Sequence, residues 1–87
     1  MNEPNEKCAL YDTMIFGNEL GSIITNVERI DQCNDICVLD DECKFWSYDQ
    51  AGKRCSKKTS DEGIGFKAKF ITGSRGCSPM HNNGIWI

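Results

Sequence analysis

The sequence predicts a small disulfide-rich α+β domain, in which one α-helix packs on an antiparallel sheet of four to five short strands. Six cysteines occur in 87 residues, and four of them lie between Cys33 and Cys55. An even number of cysteines in so short a chain is typical of disulfides formed in an oxidising compartment. One segment has the apolar periodicity of a helix, whereas the other apolar runs are short and strand-like. A domain of this size has a marginal core, so we expect disulfides to stabilise it.

Two short strands are predicted before the helix. The run Cys8–Phe16 is rich in β-type residues and ends at a turn signal, Gly17 followed by Asn18. The run Ser22–Val27 is β-branched and is followed by charged residues, which favours a second strand.

The helix is predicted over Glu28–Leu39. Ile30, Cys33 and Cys37 recur at helical spacing and form one apolar stripe. Because Cys33 and Cys37 are four residues apart, both thiols project from the face that meets the core. Three acidic residues then end the helix, although negative charge at this end opposes the helix dipole.

A hairpin is predicted after the helix. Its first strand, Lys44–Asp49, alternates so that Trp46 and Tyr48 share one face. The loop that follows contains Gly52, which we expect to adopt a positive φ, and the chain returns along Lys53–Lys58.

The last strand is predicted over Ile64–Ile71, with Lys67 and Lys69 facing outward. The residues expected to face inward are Ile64, Phe66, Ala68 and Phe70. The predicted domain covers residues 8–77, preceded by a linker at residues 1–7 and followed by a tail or interdomain linker at residues 78–87. The chain has secretory character but no apolar signal segment, so we expect it to be a piece of a larger secreted protein.

The six cysteines allow fifteen pairings, and sequence alone does not choose among them. Geometry narrows the choice, because neighbours on one helical face have parallel Cβ vectors and are poorly placed to bond each other. The second helical cysteine can reach across the reversal after the helix, and the first can reach the strand that the helix covers. The nested set that satisfies these constraints is Cys8–Cys77, Cys33–Cys55 and Cys37–Cys43.

Zinc is the alternative use of the cysteines. The spacings of three, five and eleven residues between Cys33 and Cys55 contain no tight C-x2-C pair, and His81 is the only histidine. The acids at residues 40–42 lack the alternating spacing of a calcium-binding loop. We therefore predict disulfides, with neither a metal nor a cofactor.

Catalytic motifs are missing from the sequence. It contains no G-x-S-x-G, no H-E-x-x-H, no P-loop and no nucleophile beside a histidine. No apolar run approaches the roughly 20 residues that span a bilayer. These observations predict a binding module that is not an enzyme, does not insert into a membrane and does not bind nucleic acid.

Charge is distributed unevenly along the chain. Residues 1–43 carry two basic and ten acidic side chains, whereas residues 44–87 carry eight basic and three acidic ones. If the fold keeps the two halves apart, the second half forms a positive surface for anionic partners.

The cysteines form a larger pattern together with particular aromatic residues and glycines. It comprises a first cysteine with Tyr11 and Phe16–Gly17 behind it, C-x3-C in the helix, the aromatic strand Phe45–Asp49, then Cys55, and Gly73 ahead of Cys77. Over residues 8–77 this pattern resembles the PAN/apple domain, most of all the apple domains of apicomplexan microneme adhesins. One departure is Lys57, which stands where the family usually packs a leucine, and it predicts an edge or a more basic surface.

The resemblance implies a helix cradled by a curved antiparallel sheet and the nested disulfides given above. It also implies a secreted, extracellular adhesion module of a multi-domain protein that mediates protein–protein or protein–carbohydrate recognition. The expected partners are a host-cell surface glycan or glycoprotein, a partner protein and neighbouring apple domains. For a microneme protein the role would be host-cell attachment and invasion.

Two alternatives remain open. One is a structural module of a tandem array that binds no soluble ligand. The other is a heparin or sulfated-glycan binding module, as in the apple domains of blood-plasma proteases, which would use the basic cluster Lys53, Arg54, Lys57, Lys58, Lys67 and Lys69.

A sugar pocket needs an aromatic face and a few polar groups. Tyr48 with Lys44 and Lys58 supplies these groups if the strands lie side by side, so the predicted ligand set is Lys44, Tyr48, Arg54, Lys57 and Lys58. The alternative interpretation is that Tyr48 only packs in the core and that the lysines form a solvated strand face.

Overall fold

The computed structural model describes residues 8–77 and contains one helix and four strands. The elements are β1 (Ala9–Ile15), α1 (Ile30–Val38), β2 (Phe45–Asp49), β3 (Arg54–Lys58) and β4 (Ile64–Ser74). The strands form one antiparallel sheet in the order β1-β4-β2-β3. This arrangement confirms the predicted α+β fold. The linker and tail predicted at residues 1–7 and 78–87 lie outside the described residues.

Helix α1 begins two residues later than predicted. The Gln32 side chain folds back, and its Oε1 accepts hydrogen bonds from the backbone N–H groups of Glu28 (2.8 Å) and Arg29 (3.0 Å). These bonds hold residues 28 and 29 outside the helix, in the way a capping side chain does. The buried face of α1 consists of Ile30, Cys33, Asn34 and Cys37.

The acidic end of α1 is stabilised by Arg75, which follows the last strand. Its guanidinium donates hydrogen bonds of 2.6–3.1 Å to the carbonyl oxygens of Cys37, Val38, Asp40 and Cys43. A cation at this end favours the helix dipole and satisfies carbonyl groups that have no partner in the helix. The reversal is therefore held by Arg75 as well as by covalent bonds.

The core lies between α1 and the sheet. Trp46, Tyr48 and Ile71 are buried there with Val27, Ile30 and the cysteines. Trp46 lies opposite Gly73 on the neighbouring strand. A Cβ at Gly73 would lie 2.8 Å from Cε2 of the indole and closer still to Cζ2, so the ring occupies the space of the missing side chain.

Three disulfides surround this core, and no cysteine is free among the described residues. They join the beginning of β1 to the end of β4, the middle of α1 to β3, and the end of α1 to the reversal that follows it. The pairs are Cys8–Cys77, Cys33–Cys55 and Cys37–Cys43.

The sheet is sharply bent. Tyr11 pairs with Ile71, but the next pair is Thr13 with Phe66, so residues 67–70 bulge opposite Asp12. Asp12 and Lys69 both have a positive φ at this bend. Beyond it, residues 13–15 and 64–66 form a ribbon that folds over the sheet face away from α1.

Hydrogen bonds attach this ribbon to the sheet. The backbone N–H of Ile15 donates to Oγ of Ser47 on β2 (3.1 Å). Ser47 Oγ lies 2.8 Å from Oγ1 of Thr72, which donates to the carbonyl of Thr13 (2.8 Å). Polar side chains on this face are therefore satisfied by the backbone of the ribbon. The side chain of Ile15, a ribbon residue, is fully buried.

The bend overturns the alternation predicted for the last strand. Phe66 is 78% exposed, and Ile64 and Ala68 are also exposed, whereas Phe70 is half-buried. The residues of β4 that contribute to the core are later ones, Ile71 and Gly73. The prediction was wrong because the bulge interrupts the period of two.

The predicted strand at Ser22–Val27 is also wrong. This segment runs beside β3 and makes an isolated bridge between Ile24 and Cys55, with both backbone N–H groups donating. Leu20 and Val27 add single backbone bonds to β3 and its turn. The segment therefore covers the outer edge of β3 without becoming a regular strand, which protects that edge.

The hairpin between β2 and β3 differs from the prediction in one respect. Lys53 adopts the positive φ, not Gly52. A side chain at Gly52 would collide with the carboxylate of Asp49, 2.6 Å from the position of its Cβ. Gly52 thus permits the close approach of the Asp49 and Arg54 side chains and does not serve a positive φ.

The two halves of opposite charge interleave. Three ion pairs connect acids of the first half to lysines of the second: Glu28–Lys53, Asp40–Lys57 and Glu19–Lys58. These lysines therefore do not form a separate positive face from the second half of the chain.

Candidate functional site

The predicted ligand residues do not form one cluster. Strand pairing places Tyr48 and Lys57 on the sheet face that α1 covers, and Arg54 and Lys58 on the opposite face. Lys44 is exposed just before β2. These five side chains therefore do not form a single sugar pocket.

Tyr48 is buried, and its role is structural. Its hydroxyl donates a hydrogen bond of 2.6 Å to the carbonyl of Val27, which fixes the segment that enters α1. Burial raises the pKa of Tyr48, and the nearby carboxylates of Glu28 and Asp49 raise it further. Its ring is packed in the core and does not offer a face to a ligand.

Lys58 is an internal cation with no exposed side-chain surface. Its Nζ donates to the carbonyl of Gly17 (2.9 Å) and to Oε2 of Glu19 (2.8 Å). Buried ammonium groups are retained when they are paired and hydrogen-bonded, as here. Lys58 thus attaches the segment after β1 to the sheet.

Arg54 and Lys57 are each paired with a carboxylate. The Arg54 guanidinium contacts Asp49 Oδ2 at 2.7 Å, and Lys57 Nζ contacts Asp40 Oδ2 at 2.8 Å. Partial burial opposes ionisation of Asp49, but a bond from the Gly52 N–H and the Arg54 guanidinium outweigh it, so the pKa of Asp49 is lowered. The hydrogen bond from Lys57 lowers the pKa of Asp40.

Lys57 is the residue that departs from the family pattern, in which a leucine is usual at this position. It lies opposite Trp46 on the face that α1 covers, where a leucine would pack. Its side chain is four-fifths buried, and its ammonium group reaches Asp40 at the end of α1. The substitution therefore exchanges an apolar contact beneath the helix for an ion pair to its end, with no gain of free positive charge.

A groove of about 350 Å³ lies between residues 24–27 and α1, but its apolar lining residues Ile24, Val27 and Ile36 are all at least partly buried. Three other surfaces carry large apolar side chains that are more than 40% exposed. The first, the ribbon groove, lies between the ribbon and the sheet and has a volume of about 210 Å³. Leu10 (48% exposed) and Ile64 (44% exposed) line it beside Phe45 and the polar residues Asp61, Thr72 and Ser74.

The second surface, the helix-end groove, has a volume of about 600 Å³ and lies where α1 ends. Its lining consists of Ile36, Leu39, Asp40, Asp41, Glu42 and Lys57. Leu39 is 86% exposed, although it is a large apolar side chain.

The third surface is the corner, formed by residues 66–69 where β4 bulges. It carries exposed Phe66, the last paired residue before the bulge, and Lys67, whose Nζ lies 5.5 Å from the centroid of the Phe70 ring. Neither Lys67 nor Lys69 forms an ion pair with any residue from 8 to 77. Sequence reasoning missed Phe66 because strict alternation assigned it to the core.

The profile of the PAN domain matches residues 6–84, nearly the whole chain. The chain belongs to the PAN domain family. The fold of this PAN domain is similar to the solution structure of the two N-terminal apple domains of Toxoplasma gondii microneme protein 4, with a TM-score of 0.71 and 23% sequence identity. The similarity covers 83% of this chain and 45% of that one, so this PAN domain spans less than half of the matched chain. Comparison with curated proteins gave no match.

The PAN domain is a binding module, and its described residues contain neither a metal-binding group nor a membrane span. Across residues 8–77 no three His, Cys, Asp or Glu side chains are placed to hold a metal ion. The helix in this range is too short to cross a bilayer. The ribbon groove, the helix-end groove and the corner are candidate recognition surfaces because each presents a large exposed apolar side chain.

Proposed function

We propose that this PAN domain is an extracellular adhesion module that binds a partner protein through the ribbon groove. In this proposal residues 8–77 are one domain of a secreted multi-domain protein, and residues 1–7 and 78–87 link it to its neighbours. The similarity to apple domains of a microneme protein supports a role in attachment to host cells.

The observation that carries the proposal is the position of two apolar side chains. Leu10 and Ile64 are each about half exposed, and both line the ribbon groove. Adjacent exposed apolar residues with a polar rim are typical of protein-binding surfaces. The Cys8–Cys77 disulfide lies at the edge of this groove, which supports a surface that keeps its shape and so costs little entropy on binding.

Carbohydrate recognition receives less support from the same residues. A sugar site needs an exposed aromatic face with polar groups around it. Tyr48 is buried and donates to Val27, and Lys58 is enclosed by Gly17 and Glu19. The aromatic and ammonium groups that the sequence suggested for a sugar are thus engaged in contacts within the fold.

The proposal is tested by measuring how the fluorescently labelled chain binds to cultured vertebrate epithelial cells. Trypsin treatment of the cells removes surface proteins, whereas periodate destroys the vicinal diols of surface glycans. We expect binding to be lost after trypsin and kept after periodate. Leu10→Ala combined with Ile64→Ala should weaken binding about fivefold or more, because central apolar contacts dominate such interfaces.

The matched control is Ile23→Ala, which shortens an equally exposed apolar side chain outside the groove and should leave binding unchanged. A glycan array probed at high micromolar concentration provides the opposing measurement. Binding that periodate abolishes and trypsin spares would replace the protein partner with a glycan. Absence of any binding to cells would refute the adhesion role and favour a structural module.

A further inference from the structure

Two exposed surfaces of this domain have opposite charge, and each presents a large apolar side chain. At the helix-end groove, Leu39 stands 86% exposed beside Asp41 and Glu42. At the corner, Phe66 stands 78% exposed beside Lys67. Exposed apolar side chains rimmed by charge are typical of interaction sites.

The charges on both surfaces are available to a partner. Lys57 binds Asp40 at 2.8 Å and neutralises it, whereas Asp41 and Glu42 have no ion pair within residues 8–77. On the other surface Lys67 and Lys69 are likewise unpaired in that range. The one cation that lines the groove, Lys57, is engaged by Asp40, so the groove keeps two unpaired carboxylates beside Leu39. The corner has two unpaired lysines beside Phe66 and one carboxylate, that of Asp12, whose Oδ1 accepts a hydrogen bond from the Lys69 N–H (3.1 Å).

The two surfaces lie at opposite ends of the sheet. Where β2 begins, the backbone N–H of Arg75 donates to the carbonyl of Lys44. The guanidinium of Arg75 donates to the backbone carbonyl of Asp40, which belongs to the helix-end groove. Where β2 ends, the N–H of Gln50 donates to the carbonyl of Lys69, at the corner. The five residues of β2 separate these points by roughly 17 Å, so one copy cannot bring its own two surfaces together.

We propose that copies of this chain associate head to tail, with the corner of one copy inserted into the helix-end groove of the next. Phe66 packs against Leu39 and Ile36 in a groove of about 600 Å³, and Lys67 approaches Glu42. The contact joins two different patches, so it is heterologous and leaves one free surface of each kind at the ends of every assembly. In a tandem array the high effective concentration of linked copies would strengthen this contact.

The inference goes beyond the proposed function, because it concerns other residues and a partner identical to the chain itself. Its test uses the chain alone. NMR spectra of the ¹⁵N-labelled chain are recorded from micromolar to millimolar concentration at low ionic strength. We expect concentration-dependent shifts at residues 36–42 and 66–69 that fit one dissociation constant, and sedimentation that shows species larger than a dimer. Added salt should weaken the association.

Charge reversals define the pairing. Lys67→Glu and Glu42→Lys should each raise the dissociation constant about fivefold, since an attraction between surface charges becomes a repulsion. An equimolar mixture of the two variants should associate again, because the intact corner of one meets the intact groove of the other. Lys53→Glu is the matched control: it makes the same charge change at an exposed lysine outside both surfaces and should have no effect.

Three results would overturn the inference. The chain could remain monomeric at millimolar concentration, or the shifts could fall on the ribbon groove around Leu10 instead of the two named surfaces. Association limited to a dimer and indifferent to both Lys67→Glu and Glu42→Lys would indicate a symmetric contact elsewhere. None of these results bears on binding to cells, which is measured separately.

Discussion

Gly73 is the position where the packing of the core can be tested most directly. In Gly73→Ala the new methyl group would lie 2.8 Å from Cε2 of the Trp46 indole, closer than carbon atoms approach each other. Trp46 is fully buried, so its ring has no exposed space to move into. Overpacking of a core costs about 1–3 kcal/mol, and this contact belongs at the upper end.

The expected loss is therefore about 3 kcal/mol of the free energy of unfolding, or roughly 12–24 °C in Tm for a domain of this length. The same substitution should cost less than about 1 kcal/mol in a Trp46→Phe background, because the smaller ring leaves room for the methyl group. The coupling between the two substitutions should then be about 2 kcal/mol. Trp46→Phe also removes the indole N–H, which has no hydrogen-bond partner among the described residues.

The assay is guanidinium unfolding of the four variants of this double-mutant cycle, followed by far-UV circular dichroism. Gly65→Ala is the matched control in the same strand, since its Cβ would lie 3.3 Å from the exposed ring of Phe16. We expect this control to change stability by less than about 0.5 kcal/mol. A Gly73→Ala penalty as small as that of the control, or one that persists unchanged beside Phe at position 46, would refute the reasoning.

Two further predictions concern cross-links and pH. The Cys8–Cys77 and Cys37–Cys43 bridges close loops with sequence separations of 69 and 6. Chain entropy then predicts that serine substitution of the first pair costs about 4 kcal/mol and of the second about 2, measured by guanidinium unfolding; equal losses would contradict it. Asp49 has a lowered pKa when folded, so its stabilisation exists above its ordinary pKa of about 3.9 and is lost as pH falls through the folded value. Urea unfolding between pH 6 and pH 2 should show this decline, and Asp49→Asn should flatten it.

Much of the fold could be predicted from local patterns. The helical stripe of Ile30, Cys33 and Cys37 identified α1, and alternation around Trp46 identified β2. These segments follow simple periods because each packs one face on a single core. The combination of cysteine spacing and aromatic strand also identified the family.

The errors arose where the chain departs from a single period. The bulge opposite Asp12 folds the outer half of β4 over the sheet, so Phe66 is exposed where alternation placed it inside. Residues 22–27 have strand composition, but they make only an isolated bridge to β3. Both outcomes depend on contacts between distant parts of the chain that no local window contains.

The predicted ligand residues illustrate a different difficulty. Composition indicates that Lys58 is charged, but not that Gly17 and Glu19 enclose it. Likewise an aromatic strand indicates burial of some rings without showing which one remains exposed. Opposite charges in the two halves of a chain are therefore as consistent with internal pairing as with separate binding surfaces.

The bridge between Cys8 and Cys77 has a mechanical consequence. The Cα atoms of these residues are 5.8 Å apart, although 69 positions of sequence separate them. A pulling force applied to the chain on either side of the domain passes through this one covalent link, and the hydrogen bonds between β1 and β4 carry little of it. Reduction of the link would place the same load on the sheet, and complete extension would then lengthen the chain by about 230 Å. A binding module built in this way keeps its surfaces intact under tension for as long as its surroundings remain oxidising.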